Sequence, residues 1–270
     1  MTSNIITPFL NDKEIPFPLK GKKALVTGAS SGIGLATSIY LAIEGTHLVL
    51  VARRNEQLLQ IQKELKEQFP KVNVEIVPLD LLKKNAVEEL KKINALNVDI
   101  FINNAGISRT RDFVVDLLHE DIDEVITTNL NIAFKLSAAV AKNMVKNGSG
   151  HIVHLGSVAG NHTYEGGSVY CATKSAMKAF STTMRQELYD KNVRVTLVSP
   201  GIVKTNFSVV RFKGDKEKAD KVYEGLDCLK PSDVARLIIT TLKEPEHVNL
   251  DEIVILPTAQ APGTNKTKRK

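Results

Sequence analysis

The chain holds 270 residues, of which 43% are hydrophobic, enough to bury a full core as one α/β domain. No apolar run approaches the ~18–20 residues that span a bilayer, and two cysteines, Cys171 and Cys228, make no disulfide framework, so a reducing, cytoplasmic setting without membrane partners is expected. The net charge of +6 resides largely in the tail Lys266-Thr267-Lys268-Arg269-Lys270 and in solvated stretches such as Lys91-Lys92, without the interleaved aromatics of a nucleic-acid surface.

Residues 1–20 read as an extended N-terminal arm. They contain three prolines, which disfavour a helix, and they lack the charged-then-apolar pattern of a secretion signal. The domain proper, 21–260, opens with a short apolar run at 23–26. Thr27-Gly28-Ala29-Ser30-Ser31-Gly32-Ile33-Gly34 follows directly, then an apolar helical stretch at 35–43. Strand, glycine-rich turn and helix in succession are the setting in which such a motif binds a dinucleotide. The glycines let the backbone turn tightly and approach a pyrophosphate, whose charge meets the free N–H groups of the helix start. An ordinary strand-to-helix turn would not need three glycines in seven residues.

The second strand, 47–51, ends at Ala52-Arg53-Arg54. An acidic residue there would hold the ribose hydroxyls of NAD and repel a 2′-phosphate. Two guanidiniums instead can grip that phosphate through charge-assisted bonds. NADP(H) is therefore the predicted cofactor, against the alternative of two surface arginines opening a helix. A third strand at 72–77 runs into Pro78, which would interrupt a central strand. A fourth at 99–102 leads to Asn103-Asn104-Ala105-Gly106.

The fifth strand, 151–155, precedes Ser157. His151 and His154 lie three apart on it and face opposite sides; neither H-E-x-x-H nor paired C-x-x-C occurs, and no metal is expected. A helix near 168–189 carries Tyr170 and Lys174, which project from one face at i, i+4. The Lys174 ammonium is expected to pull the phenol pKa below its ordinary value of about 10 and so give a proton donor and acceptor usable near neutrality. Cys171 points about 100° away along that helix and reads as packing. A sixth strand, 193–198, reaches Pro200-Gly201, and a last strand is predicted at 253–256. Apolar, β-branched strands separated by helical segments imply βαβ units and a parallel sheet covered on both faces.

Taken in order, Thr27 to Gly34, Asn103 to Gly106, Asn129 in Thr-Thr-Asn-Leu, Ser157, Tyr170, Lys174 and Pro200-Gly201 make the chain resemble the short-chain dehydrogenases/reductases over roughly residues 20–258. The resemblance implies a single-domain, Rossmann-type, doubly wound parallel sheet of seven strands in the order 3-2-1-4-5-6-7, with Pro78 then on an edge strand. It implies that Thr27, Gly28, Ser30, Ser31, Gly32, Ile33 and Gly34 cradle NADP(H), with Asp80 and Leu81 at the adenine and Asn104 on the adenosine side. Pro200, Gly201, Val203 and Thr205 would stand by the nicotinamide and pyrophosphate. Tyr170 would exchange a proton with the substrate oxygen, Ser157 would hold that oxygen, and Lys174 would also bond the nicotinamide ribose. Asn129 would interrupt its helix and hold a water linking Lys174 to solvent. Members of this group usually form homotetramers through the helices found here at 122–146 and 168–189. Ile126, Leu130, Ala133 and Ala141 would give the first of these a broad apolar surface.

Residues 201–230 fall where this family carries its substrate lid. The run 203–215 with Lys218-Ala219, Tyr223 and 229–234, closing on Leu256-Pro257-Thr258-Ala259-Gln260, is similar to the NADP-dependent 3-hydroxy acid (L-serine, L-allo-threonine) dehydrogenases of bacteria and yeasts. That similarity implies oxidation of a small 3-hydroxy acid such as L-allo-threonine, L-serine or 3-hydroxypropionate. Arg211 and Lys213 are the lid cations available for its carboxylate, against the alternative of solvated charges. Asn161-His162 departs from several members of the group and could alter the pocket mouth. A general NADPH-dependent carbonyl reductase for ketones, aldehydes or steroid-like alcohols is the competing enzyme. A non-catalytic NADP(H)-sensing protein is the competing class, disfavoured because a sensor has no need of the proton relay.

Overall fold

The computed structural model describes residues 18–261; the basic tail and all but the end of the arm lie outside them. In chain order the elements are β1 (Lys23–Thr27), α1 (Gly32–Ile43), β2 (His47–Ala52), α2 (Asn55–Gln68), β3 (Val74–Pro78), α3 (Ala86–Lys92), β4 (Ile100–Asn103), α4 (His119–Ile126), α5 (Ile132–Asn147), β5 (Gly150–Leu155), α6 (Ser168–Leu188), β6 (Val193–Pro200), α7 (Phe207–Arg211), α8 (Lys216–Lys221), α9 (Pro231–Lys243) and β7 (Glu252–Ile255). All seven strands are parallel, in the order β3-β2-β1-β4-β5-β6-β7. The doubly wound sheet expected from the sequence is the one found.

Two-residue periodicity explains why the strands read as continuous apolar runs. Ala24, Val26, Leu48, Leu50, Ile100, Ile102 and Val153 feed the core on one face. Leu25, Val49, Val51, Phe101 and Ile152, their alternates, feed the core on the other. Both faces are covered by helices, so neither set can be polar. Pro78 ends β3 opposite Ala52, on the edge strand where a missing N–H costs no ladder bond. β3 starts at Val74 rather than at 72, because Val72 N is taken by Phe69 O at 2.9 Å as the chain leaves α2.

The chain begins in the middle of the sheet, winds out to β3, and returns to β4 on the other side of β1. The loops leaving β1 and β4 therefore diverge and open a crevice at the strand C-termini. Other expectations are corrected. Leu19 is 2% exposed and joins the core, so the folded body begins inside the predicted arm. Ala133 and Ala141 are buried in the chain's own cores; of the four residues expected to face another copy, Ile126 is exposed and Leu130 half-buried. The central strand β5 carries two buried imidazoles. His151 Nε2 meets Thr196 Oγ1 at 2.9 Å on one face, and His154 Nδ1 meets Asn103 Nδ2 at 3.1 Å on the other. No helix among the described residues is long and apolar enough to cross a membrane.

Candidate active site

A cavity of about 910 Å³ opens along the C-terminal ends of the strands, between the glycine loop and the segment 200–223. It stands near the top of the roughly 300–1,000 Å³ range of small-molecule sites, so it has room for a large ligand and a small one together. At one end the backbone does the shaping. Gly28 has φ +66° and Gly34 lies so close that a Cβ on it would strike Gly28 O and Asn104 Nδ2. Thr27, fully buried, accepts from Asn104 N at 3.1 Å and Ala105 N at 3.0 Å through its hydroxyl. The Asn104 amide answers by donating to Thr27 O at 2.8 Å. These bonds pin the glycine loop to the end of β4.

Gly28, Ser30, Ser31, Gly32, Ile33 and Asn104 line the cavity, whereas Thr27 and Gly34 stand behind it as supports. The Ser31 hydroxyl does not cap α1, which leaves the first-turn N–H groups of a twelve-residue helix free for an outside anion. Arg53, Arg54, Asp80 and Leu81 line the same end, and Arg54 Nη2 donates to Ser30 Oγ at 3.1 Å. Glycine cradle, open helix N-terminus and paired guanidiniums fit a phosphate-bearing dinucleotide. Pro200, Gly201, Val203 and Thr205 line the cavity further along. Gly201 is held by Ile255 O at 2.7 Å and Ile202 N by Gln260 Oε1 at 2.8 Å, so β7 and its tail fix this turn.

Ser157, Tyr170 and Lys174 meet on the cavity wall. Ser157, in extended backbone just past β5, accepts from Ala159 N at 3.1 Å, and its hydroxyl stands near enough to the Tyr170 phenol to oppose the rise of its pKa. Lys174 is 8% exposed; its ammonium donates to Leu155 O at 2.7 Å and sits 5.7 Å from the Tyr170 ring centre. Asn129 is buried in a π-helical turn, Thr127–Asn131, between α4 and α5. That bulge turns its amide inward to grip Ile107: Oδ1 accepts from Ile107 N at 2.8 Å and Nδ2 donates to Ile107 O at 2.8 Å. Asn129 Oδ1 and Lys174 Nζ flank Gly106, 3.4 and 3.7 Å from where its Cβ would stand.

The electrostatics differ from the sequence expectation. Burial pushes the Tyr170 phenol up to about 12, with Tyr164 adding to the rise. Burial also pulls the Lys174 ammonium down to about 8. Spacing alone placed the two together, but it could not show that both would leave water. The cation that does oppose the rise is Arg211, whose guanidinium carbon lies 5.4 Å from the Tyr170 ring centre.

Arg211 is 8% exposed. Its Nη2 donates to Tyr164 Oη at 3.3 Å, it lies 5.1 Å from the Phe207 ring centre, and its Nε is buried with no hydrogen-bond partner among the described residues. An unsatisfied buried donor is costly, and one at a cavity wall calls for a partner. Lys213 is not at the cavity: it pairs with Asp121 at 2.9 Å, with 53% of its side chain exposed. Of the two lid cations singled out in the sequence, only Arg211 faces the chemistry. Similarly, His162 lines the cavity while Asn161 points elsewhere, bonding Glu252 and Lys178. Sequence reasoning missed Tyr164, and the only local signal was an aromatic before a glycine pair.

Residues 22–216 match the short chain dehydrogenase family. The chain is 40% identical over 259 residues to an NADP-dependent 3-hydroxy acid dehydrogenase of Schizosaccharomyces pombe, covering 93% of this chain and 98% of that one. It is 36% identical to the enzyme so named in Escherichia coli K12, over 88% of this chain and 95% of that one. A solved closed form of serine dehydrogenase complexed with NADP⁺ superposes with a TM-score of 0.84 at 35% identity, covering 88% of this chain and 96% of that one.

Proposed function

Because the chain belongs to the short-chain dehydrogenase family, we propose that it is an NADP(H)-dependent oxidoreductase acting on the β-hydroxyl of a small 3-hydroxy acid. NADP(H) as cofactor agrees with the relatives' names and with Arg53 and Arg54 beside the glycine cradle. When bound it takes up or supplies the hydride. The protein's own part is proton and position. In oxidation, the Tyr170 oxygen takes the hydroxyl proton as the carbonyl forms; in reduction, it returns that proton. Ser157, beside the phenol on the cavity wall, holds the reacting oxygen next to it. Burial pulls the Lys174 ammonium down to about 8, and the negative charge of a phosphate-bearing cofactor would favour its protonated form. Asn129 keeps the wall between Ile107 and Thr173 rigid behind Lys174.

The observation that carries the substrate class is Arg211: a buried guanidinium with a free Nε, a few ångströms from the Tyr170 ring. In this reading a carboxylate two carbons from the reacting carbon faces the guanidinium while the hydroxyl stays at Tyr170. A buried charge-assisted bond of this kind contributes a few kcal/mol, about two decades in kcat/KM. The test is NADP⁺ reduction with L-allo-threonine or 3-hydroxypropionate against the matching methyl ester, in the unmodified enzyme and in Arg211→Ala. The acid is expected to be the better substrate, and the substitution to penalise it far more than the ester. Equal rates for acid and ester, or turnover of bulky ketones alone, would favour the general carbonyl reductase. No turnover with any of these would favour the sensing protein. A homotetramer belongs to the same reading and rests on resemblance and on exposed Ile126; light scattering that returns a monomer at micromolar concentration refutes it.

A further inference from the structure

The segment carrying Arg211 is too short to hold itself. α7 has five residues, well under the length at which a helix is stable alone. The turn after it meets Ser208 O, Val209 O and Val210 O, from Phe212 N at 3.0 Å, Gly214 N at 2.9 Å and Lys213 N at 3.2 Å. Two further bonds, to Val210 O and Arg211 O, come from residues 109 and 110, about a hundred positions away in the chain. Arg109 grips Glu124 through two parallel bonds, Nε to Oε2 at 2.7 Å and Nη2 to Oε1 at 2.6 Å. Its remaining nitrogen, Nη1, donates to Val210 O at 2.8 Å. The next residue, Thr110, donates its N–H to Arg211 O at 2.9 Å. The two side chains of the pair are only 16% and 25% exposed, and each stabilises the charge of the other. The backbone on both sides of the tie is bent out of its preferred region, with φ of +48° at Thr110 and +50° at Lys213. A β-branched residue enters that region only when its surroundings hold it there.

We infer that Arg109, oriented by Glu124, is a positioning residue for the substrate: it fixes the Val210–Arg211 backbone so that the Arg211 guanidinium stays over Tyr170, and thereby sets the preference for acids. This rests on the reading of Arg211 as the carboxylate partner. The geometry calls for arginine specifically. Two parallel bonds to one carboxylate and a third to a carbonyl need a planar fork, whereas lysine offers a point charge on a flexible stem. Lysine at 109 would keep the ion pair and lose its fixed bond to Val210.

A merely structural staple would weaken all substrates together, so the readout is the ratio of kcat/KM for acid over methyl ester at saturating NADP⁺. Arg109→Ala and Arg109→Lys are each expected to lower that ratio about tenfold, through a higher KM for the acid, with the ester changed about threefold or less. Should Arg109→Ala fail to fold, as judged by its thermal melt, Arg109→Lys carries the same expectation. Acid and ester falling in parallel, or an unchanged ratio, overturns the positioning role. Arg211→Ala, measured alongside, separates the two readings. If it collapses the ratio while the Arg109 variants do not, only the positioning role is wrong. If it leaves the ratio untouched, the carboxylate reading fails and the positioning role falls with it.

Discussion

The two ends of the cavity are built differently. At the glycine loop the fit is made by backbone: glycines where a Cβ would collide, and a Thr27–Asn104 lock that leaves little to adjust. At the lid it is made by side chains from segments far apart in the chain, with Arg211 held by Tyr164 and the preceding Val210 carbonyl by Arg109. A backbone site can be lost but hardly retuned. A side-chain site can be retuned one contact at a time.

That contrast can be broken or sharpened in steps. The largest effect should come where the two ends meet. Tyr170→Phe removes the proton carrier and should lower turnover about 10³-fold with acid and ester alike. NADPH affinity should stay near normal, read by cofactor fluorescence in a chain that has no tryptophan. Retention of a tenth of the activity would contradict the assignment. Next, Gly34→Ala forces a methyl against Gly28 O and should weaken NADPH binding by about two decades or destabilise the fold by roughly 1–3 kcal/mol. The acid-to-ester ratio of whatever activity remains should not move; a shifted ratio would erase the distinction between the ends.

Replacing Arg53 with Ala and Arg54 with Asp should then cost about two decades of preference for NADP⁺ over NAD⁺, the worth of charge-assisted bonds to a phosphate. Unmodified enzyme that prefers NAD⁺ would sink that prediction. The smallest effect is electrostatic. Arg211 opposes the rise of the Tyr170 pKa, so its removal should raise that pKa further. Oxidation needs the phenolate. Its rate profile, followed with the ester, should therefore move to higher pH by a fraction of a unit in Arg211→Ala, and a move to lower pH would contradict the sign.

What the sequence disclosed follows the same division. The glycine cradle and the proline at a strand end were legible because backbone requirements leave marks at fixed spacing: Gly28, Gly32 and Gly34, or Pro78. The strand order and the edge position of Pro78 came with the family resemblance. Arg53 and Arg54 were legible because the end of the second strand is a defined place. Tyr164 and Arg109 were not, since nothing local ties residue 109 to residue 210. The raised phenol of Tyr170 was hidden for another reason. Helical spacing gives proximity to Lys174, but burial, which outweighs it here, depends on everything that closes over the helix.

The two buried imidazoles of β5 should make this protein lose stability in acid. His154 is held neutral by burial, its pKa pulled down to about 3, and His151 is likewise pulled well below the ordinary value. Both would bind a proton once unfolded, near the usual value of about 6.5. Between those limits the unfolded chain holds more protons than the folded one, so stability is full above about pH 6.5 and drains away as pH falls, by about 1.4 kcal/mol per unit for each ring. Unfolding in mild acid should therefore take up protons in the centre of the sheet. His154→Gln, if it folds, should show a shallower loss of melting temperature between pH 6.5 and 4.5 than the unmodified protein.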